Sequence, residues 1–294
     1  MPIKRSRSEK IFYGVIILLM IALMVVTAYP LLYVLFASFS NPVELMSNRG
    51  ILTAPLGFSL AAYEAVMQNP MITIGYRNTL FYVIAGTSIS LVLTIMGAYA
   101  LSRKNVLWRN PIMFAIVFTM FFHGGMIPSY LLVGQTLGLQ DSPLALIIPG
   151  AISTWNLIIL KTAFESVPIA LEEAARIDGA NDFQILWNVC IPISLPAIAV
   201  ITLFYAVAEW NAWFGAMLYL RNRELYPLQI VLREILITNS TEAMTTGVSS
   251  GDVLPIAETI KYATIVVATV PILFIYPFLQ KYFVKGVMIG AIKE

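Results

Sequence analysis

The sequence is poor in the residues that carry most protein chemistry. Its 294 residues include one cysteine, Cys190, and one histidine, His123, which excludes an internal disulfide and a Cys/His zinc site. It has no G-x-x-x-x-G-K-[ST] segment, the loop that cradles nucleotide phosphates, so ATP hydrolysis is not expected of this chain. It has no H-E-x-x-H, and no Ser/His or paired-Asp arrangement lies inside its apolar runs, so a membrane-embedded enzyme lacks a catalytic constellation. Charge is also scarce. Asp, Glu, Lys and Arg make up 12% of the residues and the formal net charge is +2, which does not suit nucleic-acid binding.

What is abundant is apolar side chain. The chain is 59% hydrophobic with a mean hydropathy of +0.82, more than a soluble domain of this size can bury, so lipid must take up the excess. Lys4, Arg5, Arg7 and Lys10 precede an uncharged run from Ile11 to Val43. That run is too long for a cleaved signal peptide and reads as a retained first span.

Crossing about 30 Å of hydrocarbon takes roughly 20 apolar residues. Long charge-poor intervals predict six spans, at approximately 11–39, 78–101, 111–133, 143–164, 192–220 and 262–283, with Lys161 and Pro149 complicating the fourth. The intervals are continuously apolar and do not alternate, which argues against a membrane barrel. The expected fold is all-α: a single polytopic membrane domain over 1–294 with six transmembrane helices. Lys and Arg concentrate in the segments that are inner if the N-terminus is inside, among them Arg103, Lys104, Arg109, Lys161, Arg176, Lys281 and Lys285. The positive-inside rule then places both termini in the cytoplasm. Two long outer connections, 40–77 and 221–261, are expected to form small caps.

The segment 166–196, SVPIALEEAARIDGANDFQILWNVCIPISLP, is the most informative. It predicts two short cytoplasmic helices. Pro168 suits a first helical turn, Gly179 suits the left-handed residue that ends a helix, and Asn181 with Gln184 forms a capping-box pair. Phe183, Leu186, Trp187 and Cys190 fall at helical spacing as an apolar stripe, while Glu172, Glu173, Arg176, Asp178 and Asp182 make the first helix polar and protruding. A connecting hairpin packed on the inner ends of the spans is the plain reading of these features.

Glu173-Ala174-Ala175, three residues, Gly179, nine residues, then Val189-Cys190-Ile191-Pro192 resembles the cytoplasmic EAA loop of permease subunits from binding-protein-dependent ABC importers. The usual ending is Ile-x-Leu-Pro, from which Val189 and Ile191 differ conservatively. The likeness extends to FHGGMIPSYLLVGQTLGLQDS at 122–142 and to the C-terminal YPFLQKYFVKGVMIGAIKE. These stretches are similar to carbohydrate-importer permeases of the second maltose-permease type, especially the complex-oligosaccharide branch.

The resemblance implies a non-catalytic inner-membrane subunit of a bacterial importer, half of an alternating-access pore for oligosaccharides. Plant- or algal-derived and uronate-containing sugars are the expected cargo. It implies a second permease subunit, two cytoplasmic ATPase subunits and an extracytoplasmic sugar-binding protein, with no cofactor in this chain and ATP and Mg on the ATPases. The loop 166–191 would then be a coupling helix inserted into an ATPase cleft, with Glu172, Glu173, Ala174, Ala175, Arg176, Asp178, Gly179 and Phe183 as coupling residues. In that family an outer loop corresponding to 237–253 enters the binding protein's cleft.

For the sugar path, the fourth span offers Trp155 and Asn156, and the fifth offers Tyr205, Glu209, Trp210, Asn211 and Trp213. Aromatic faces stack on sugar C–H surfaces, and Asn or Glu orients hydroxyls. Counting ~1.5 Å per residue from Pro192, Trp210 and Trp213 fall roughly 27 to 32 Å across, the depth of an interfacial aromatic belt, whereas Tyr205 and Trp155 lie nearer the middle. Glu209 is open to two readings at this point, a pore-facing sugar contact or a residue reaching outer water. A gradient-driven secondary transporter is the alternative class. It would require charged relays and inverted repeats inside the membrane, which this sequence does not display.

Overall fold

The computed structural model describes residues 7–237 and 256–274, and they are almost wholly helical. The one extended pairing among them is an isolated bridge between Ser40 and Phe58. The contacts divide the chain into one unit of Met1–Pro70 with Glu234–Val270 and another of Met71–Arg233 with Pro271–Glu294.

In the first unit, α1 (Arg7–Ser38) is a 32-residue helix of Leu, Ile, Val and Met whose sides are exposed along nearly all its length. An apolar helix with no protein cover is stable only in lipid. Its C-terminal end meets the connection that follows. Ala37, Leu45 and Leu52 are buried together, Ser38 Oγ and the Tyr63 hydroxyl lie 2.8 Å apart, and the Phe39 ring stacks on Phe58. Asn41 caps α2 (Pro42–Ser47) by accepting from Val43 N at 3.0 Å, and α3 (Ala61–Gln68) follows. This connection is an ordered cap.

The second span starts earlier than predicted. α4 (Pro70–Ser102) runs 33 residues, so 70–77 belong to the helix and not to the connection expected over 40–77. Pro70 fits because a helix's first residue has no intrahelical N–H bond to lose. The buried face of α4 carries Asn78, Thr79, Gly86, Thr87, Ser90 and Thr94, whereas Leu80, Phe81 and Ile84 face outward. Small and hydroxyl residues let helices approach closely in a membrane, where apolar surface has no need to be hidden.

The third, fourth and fifth predicted spans are interrupted. α5 (Arg109–Phe121) and the segment Met126–Thr136, which comprises α6 (Met126–Leu131) and a π turn, are bent by 113°. The break contains His123-Gly124-Gly125, with Gly125 at φ +87°. The fourth splits into α7 (Leu144–Ile147) and α8 (Thr154–Glu165), with Pro149 and Gly150 between them and Ser153 capping α8. Lys161, which complicated that span, is paired with Glu165 at 2.9 Å, one turn on.

The fifth span is shorter than its apolar run. α9 (Ile169–Ile177) and α10 (Asp182–Ile185) precede a π turn at Leu186–Cys190 and α11 (Ile191–Ile193). The chain then turns by 86° into α12 (Leu195–Trp210). Sixteen residues reach about 24 Å, and Pro192 lies before the bend instead of at the inner edge. α13 (Phe214–Tyr219), a short turn at Arg223–Leu225 and α14 (Leu228–Ile237) complete this stretch.

The turn before α14 is clamped onto α4. Asn78 Nδ2 donates to the carbonyls of Glu224 and Tyr226 at 2.6 and 3.0 Å, and the Tyr82 hydroxyl donates to Leu225. Of the sixth span, α15 (Ile256–Phe274) is described. The remainder of 262–283, the outer loop 238–253 and the C-terminal YPFLQKYFVKGVMIGAIKE lie outside the described residues. By length and composition alone, three described helices can cross a membrane, or five if each bent pair counts as one.

Candidate coupling face and translocation pocket

Both predicted sites fall in the unit that contains α4 to α13. The loop's turn chemistry is as expected from its residues. Gln184 N donates to Asn181 Oδ1 at 2.9 Å and Asn181 N donates to Gln184 Oε1 at 2.8 Å, which completes the capping box. Gly179 has φ +85° with open space where a Cβ would stand, so its requirement is conformational and not steric.

The side chains of α9 are arranged inversely to a soluble amphipathic helix. Ile177 is 86% exposed, with Ile169 and Leu171 exposed beside it, while Glu172 is 7% exposed. Glu173, Ala174, Arg176, Asp178 and Gly179 lie on the surface, and Ala175 is partly covered. The protruding helix is therefore not simply polar, and Glu172 is not one of its outward contacts. The predicted stripe on the second helix also divides. Leu186 and Cys190 are buried in the core formed with Tyr99, Leu160, Phe164 and Ile201, whereas Phe183 and Trp187 remain exposed. A π turn, with one extra residue per turn, rotates 186–190 away from the α-helical register that the spacing assumed.

Glu172 points inward to Arg103, the residue that follows α4, and the two form an ion pair. Arg103 Nη2 also donates to the Phe164 carbonyl at 3.2 Å, and its guanidinium lies 4.8 Å from the Tyr99 ring centroid. The Cys190 thiol donates to Glu172 Oε1 at 3.9 Å. Burial pushes the thiol up to about 11, and the Glu172 anion adds to this while Arg103 opposes it. Beside the pair is a cavity of about 570 Å³ lined by Lys104, Arg109, Glu165 and Glu173, with Arg109 paired to Glu165.

A second cavity, of about 580 Å³, gathers four of the seven sugar-path residues: Trp155 and Asn156 from α8 with Tyr205 and Glu209 from α12. Ser153 and Phe204 also line it, and the lining contains no Lys or Arg. Tyr205 is fixed at its rear. Its hydroxyl lies 2.7 Å from Thr94 Oγ1 and accepts from Ser153 N at 3.0 Å, so one phenol joins α4, α8 and α12. Glu209 packs on Gly86 so closely that a Cβ there would stand 2.8 Å from its Oε1. The Thr87 and Ser90 hydroxyls of the same helix are buried without a partner among the described residues.

The other three candidates lie elsewhere. Trp210 is buried against Tyr76 at a centroid distance of 6.3 Å, so it is neither a pocket residue nor a lipid-facing belt residue. Asn211 ends α12 and bonds its own helix at the Val207 carbonyl. Trp213 lies beneath the Arg233 guanidinium at 4.9 Å. Sequence reasoning passed over the α4 face, although Gly86, Ser90, Thr94 and Ala98 at four-residue spacing in an apolar helix are the signal of a packing seam. It also passed over the pairing of Arg103 with Glu172, for which no sequence signal exists.

Away from both cavities, Asp141 adopts φ +58° and accepts from Arg221 N and Asn222 N at 2.9 and 2.8 Å. Those two N–H groups hold its carboxyl below the ordinary carboxylate range.

Comparison with known proteins places this geometry. Residues 94–289 match the family described as binding-protein-dependent transport system inner membrane component. The polygalacturonan/rhamnogalacturonan transport system permease protein YtcP of Bacillus subtilis (strain 168) is 45% identical over 291 residues, 99% of each chain. Protein LplC of the same organism is 42% identical over 91% of this chain and 90% of its own. Among solved structures, a chain of a bacterial ABC transporter that imports the acidic polysaccharide alginate matches with a TM-score of 0.88 and 37% identity, covering 96% of this chain and 100% of that one. The chain belongs to the inner-membrane components of binding-protein-dependent transport systems, the non-catalytic permease subunits of ABC importers.

Proposed function

We propose that the chain forms half of an alternating-access pore for uronate-containing oligosaccharides and is driven by separate ATPase subunits that grip α9 and α10. The observation that carries the reading is the inverted helix α9. Ile169, Leu171 and Ile177, with Phe183 and Trp187 beyond the turn, form exposed apolar surface outside any long apolar helix. Such a patch, rimmed by Glu173, Arg176 and Asp178, is suited to burial against a protein.

The expected complex contains a second, different permease subunit, two ATPases carrying ATP and Mg, and an extracytoplasmic binding protein, with no cofactor on this chain. Six spans with both termini in the cytoplasm of a bacterial cell put the 166–191 loop on the ATPase side. The sugar class is supported by the relatives that move polygalacturonan/rhamnogalacturonan or alginate. It is supported independently by the pocket, where Trp155 and Tyr205 offer stacking faces and Asn156 and Ser153 offer hydrogen bonds.

Reconstitution with the partner subunits and binding protein in proteoliposomes tests this reading. Uptake of labelled oligogalacturonide should depend on ATP and on every subunit. Uptake by this chain alone on an ion gradient would replace the reading with a secondary transporter.

A further inference from the structure

The Arg103–Glu172 pair takes no part in gripping a partner, because Glu172 is buried and Arg103 is nearly so. Four segments meet on it instead. Arg103 directly follows α4 and holds the Phe164 carbonyl of α8, and its Nε donates to Ser102 Oγ at 3.0 Å. Glu172 belongs to α9, and Cys190 of the π turn leans on its carboxylate.

A buried ion pair is a poor way to gain stability, because desolvation offsets most of the attraction and apolar residues of similar volume hold a core as well. Its particular property is intolerance of separation. Pulling the partners apart leaves an uncompensated charge in the core, so elements tied this way move together. The guanidinium fork also fixes direction, since it holds a carboxylate and a carbonyl at set angles.

From this geometry we infer that Arg103 and Glu172 form a positioning clasp that carries displacement of α9 into the inner end of α4. The rest of α4 leads to the pocket. Thr94 contacts Tyr205 and Gly86 receives Glu209, so a shift of α4 alters the support of two lining residues. The inference rests on the reading that ATPase subunits dock on α9, and its test separates the two.

The test uses the complete complex in proteoliposomes, with Glu172→Gln and Arg103→Lys compared with the unaltered chain. Three quantities are measured: ATPase retained on purification, ATP hydrolysed, and oligogalacturonide taken up per ATP. The clasp predicts that both variants retain the ATPase and hydrolyse ATP while uptake per ATP falls by about fivefold or more. An unchanged ratio overturns it, as does a parallel fall in hydrolysis and uptake, which a merely structural role would give. If a single variant fails to assemble, the Arg103→Met/Glu172→Met double variant leaves no charge buried and takes its place. Recovered assembly with a low ratio supports the clasp, and recovery of the normal ratio overturns it. Failure of the unaltered chain to retain any ATPase removes the docking reading, and the clasp with it.

Discussion

Helices α4 and α9 both expose apolar side chains and bury polar ones, a whole face on α4 and Glu172 alone on α9, but for different reasons. On α4 the exposed residues, such as Ile84, continue along a 33-residue helix, and the buried face holds Gly, Ser and Thr. On α9 the exposed Ile177 stands among surface charges on a nine-residue helix, and the buried residue is Glu172, paired with Arg103. Lipid suits the first, because the uncharged stretch from Asn78 to Ser102 is what a bilayer solvates. A protein partner suits the second, because Glu173 and Arg176 on the same short helix, with Asp178 at its end, could not enter hydrocarbon. Exposed hydrophobicity alone does not distinguish these environments; the neighbouring charges do.

The largest expected effect tests the interior of α9. Glu172→Ala leaves Arg103 buried without its counter-charge and should destabilise the loop by ~3–5 kcal/mol. Cys190, the chain's one thiol, reports this directly, since its burial and raised pKa suppress the thiolate. Maleimide labelling at neutral pH should be slow in the unaltered chain and fast in the variant. Equal slow rates would mean that the pair does not hold the π turn.

Next is a paired substitution across the two helices. Ile84→Asp should cost about 3 kcal/mol of membrane insertion, visible as loss of inserted protein. Ile177→Asp should leave insertion intact and weaken ATPase capture by about 2 kcal/mol, roughly 30-fold. If both variants lose only insertion, the distinction between the helices collapses.

A smaller effect is expected at the pocket wall. Gly86→Val places atoms on the Glu209 carboxylate and should cost about 1–3 kcal/mol through overpacking. Uptake should fall while ATPase binding is retained. Smaller again, Gly179→Val should strain the left-handed turn by about 1–2 kcal/mol, with Gly179→Asn milder. Thermal denaturation of the purified complex should rank the three variants in that order.

The mildest effect concerns pH. Because the Asp141 carboxyl is held low by the N–H groups of Arg221 and Asn222, its contribution is complete above the ordinary carboxylate pKa. It is lost as pH falls through the lower folded value. Hydrogen exchange at those two amides should therefore be slow at pH 6, and Asp141→Ala should speed it. Indifference to the substitution would show that the carboxylate does not organise this turn.

Much of the architecture was legible because it follows from local chemistry. The apolar runs marked α1, α4 and α15, the described helices long enough to cross a membrane, and Gly179, Asn181 and Gln184 marked the turn and cap of the loop. The breaks were harder to read, because Pro149-Gly150 and Gly124-Gly125 permit a bend whose size depends on what the two arms pack against. The site list was partly legible for the same reason. Trp155, Asn156, Tyr205 and Glu209 converge on one cavity, but Trp210, only one residue beyond Glu209, is rotated about 100° around the helix and enters the core.

The sequence by itself determined that the chain is a helical membrane protein lacking the G-x-x-x-x-G-K-[ST] phosphate loop, and that a fixed-spacing loop lies between its fourth and fifth apolar runs. Composition and short-range spacing suffice for this, since hydration of each side chain and the capping of each turn are local properties. Tertiary structure alone decided which of two adjacent glutamates is exposed, which aromatic residues share the pocket, and that Arg103 is Glu172's partner. Those outcomes depend on helix rotation and on contacts between distant residues, which arise when α4, α8, α9 and α12 pack.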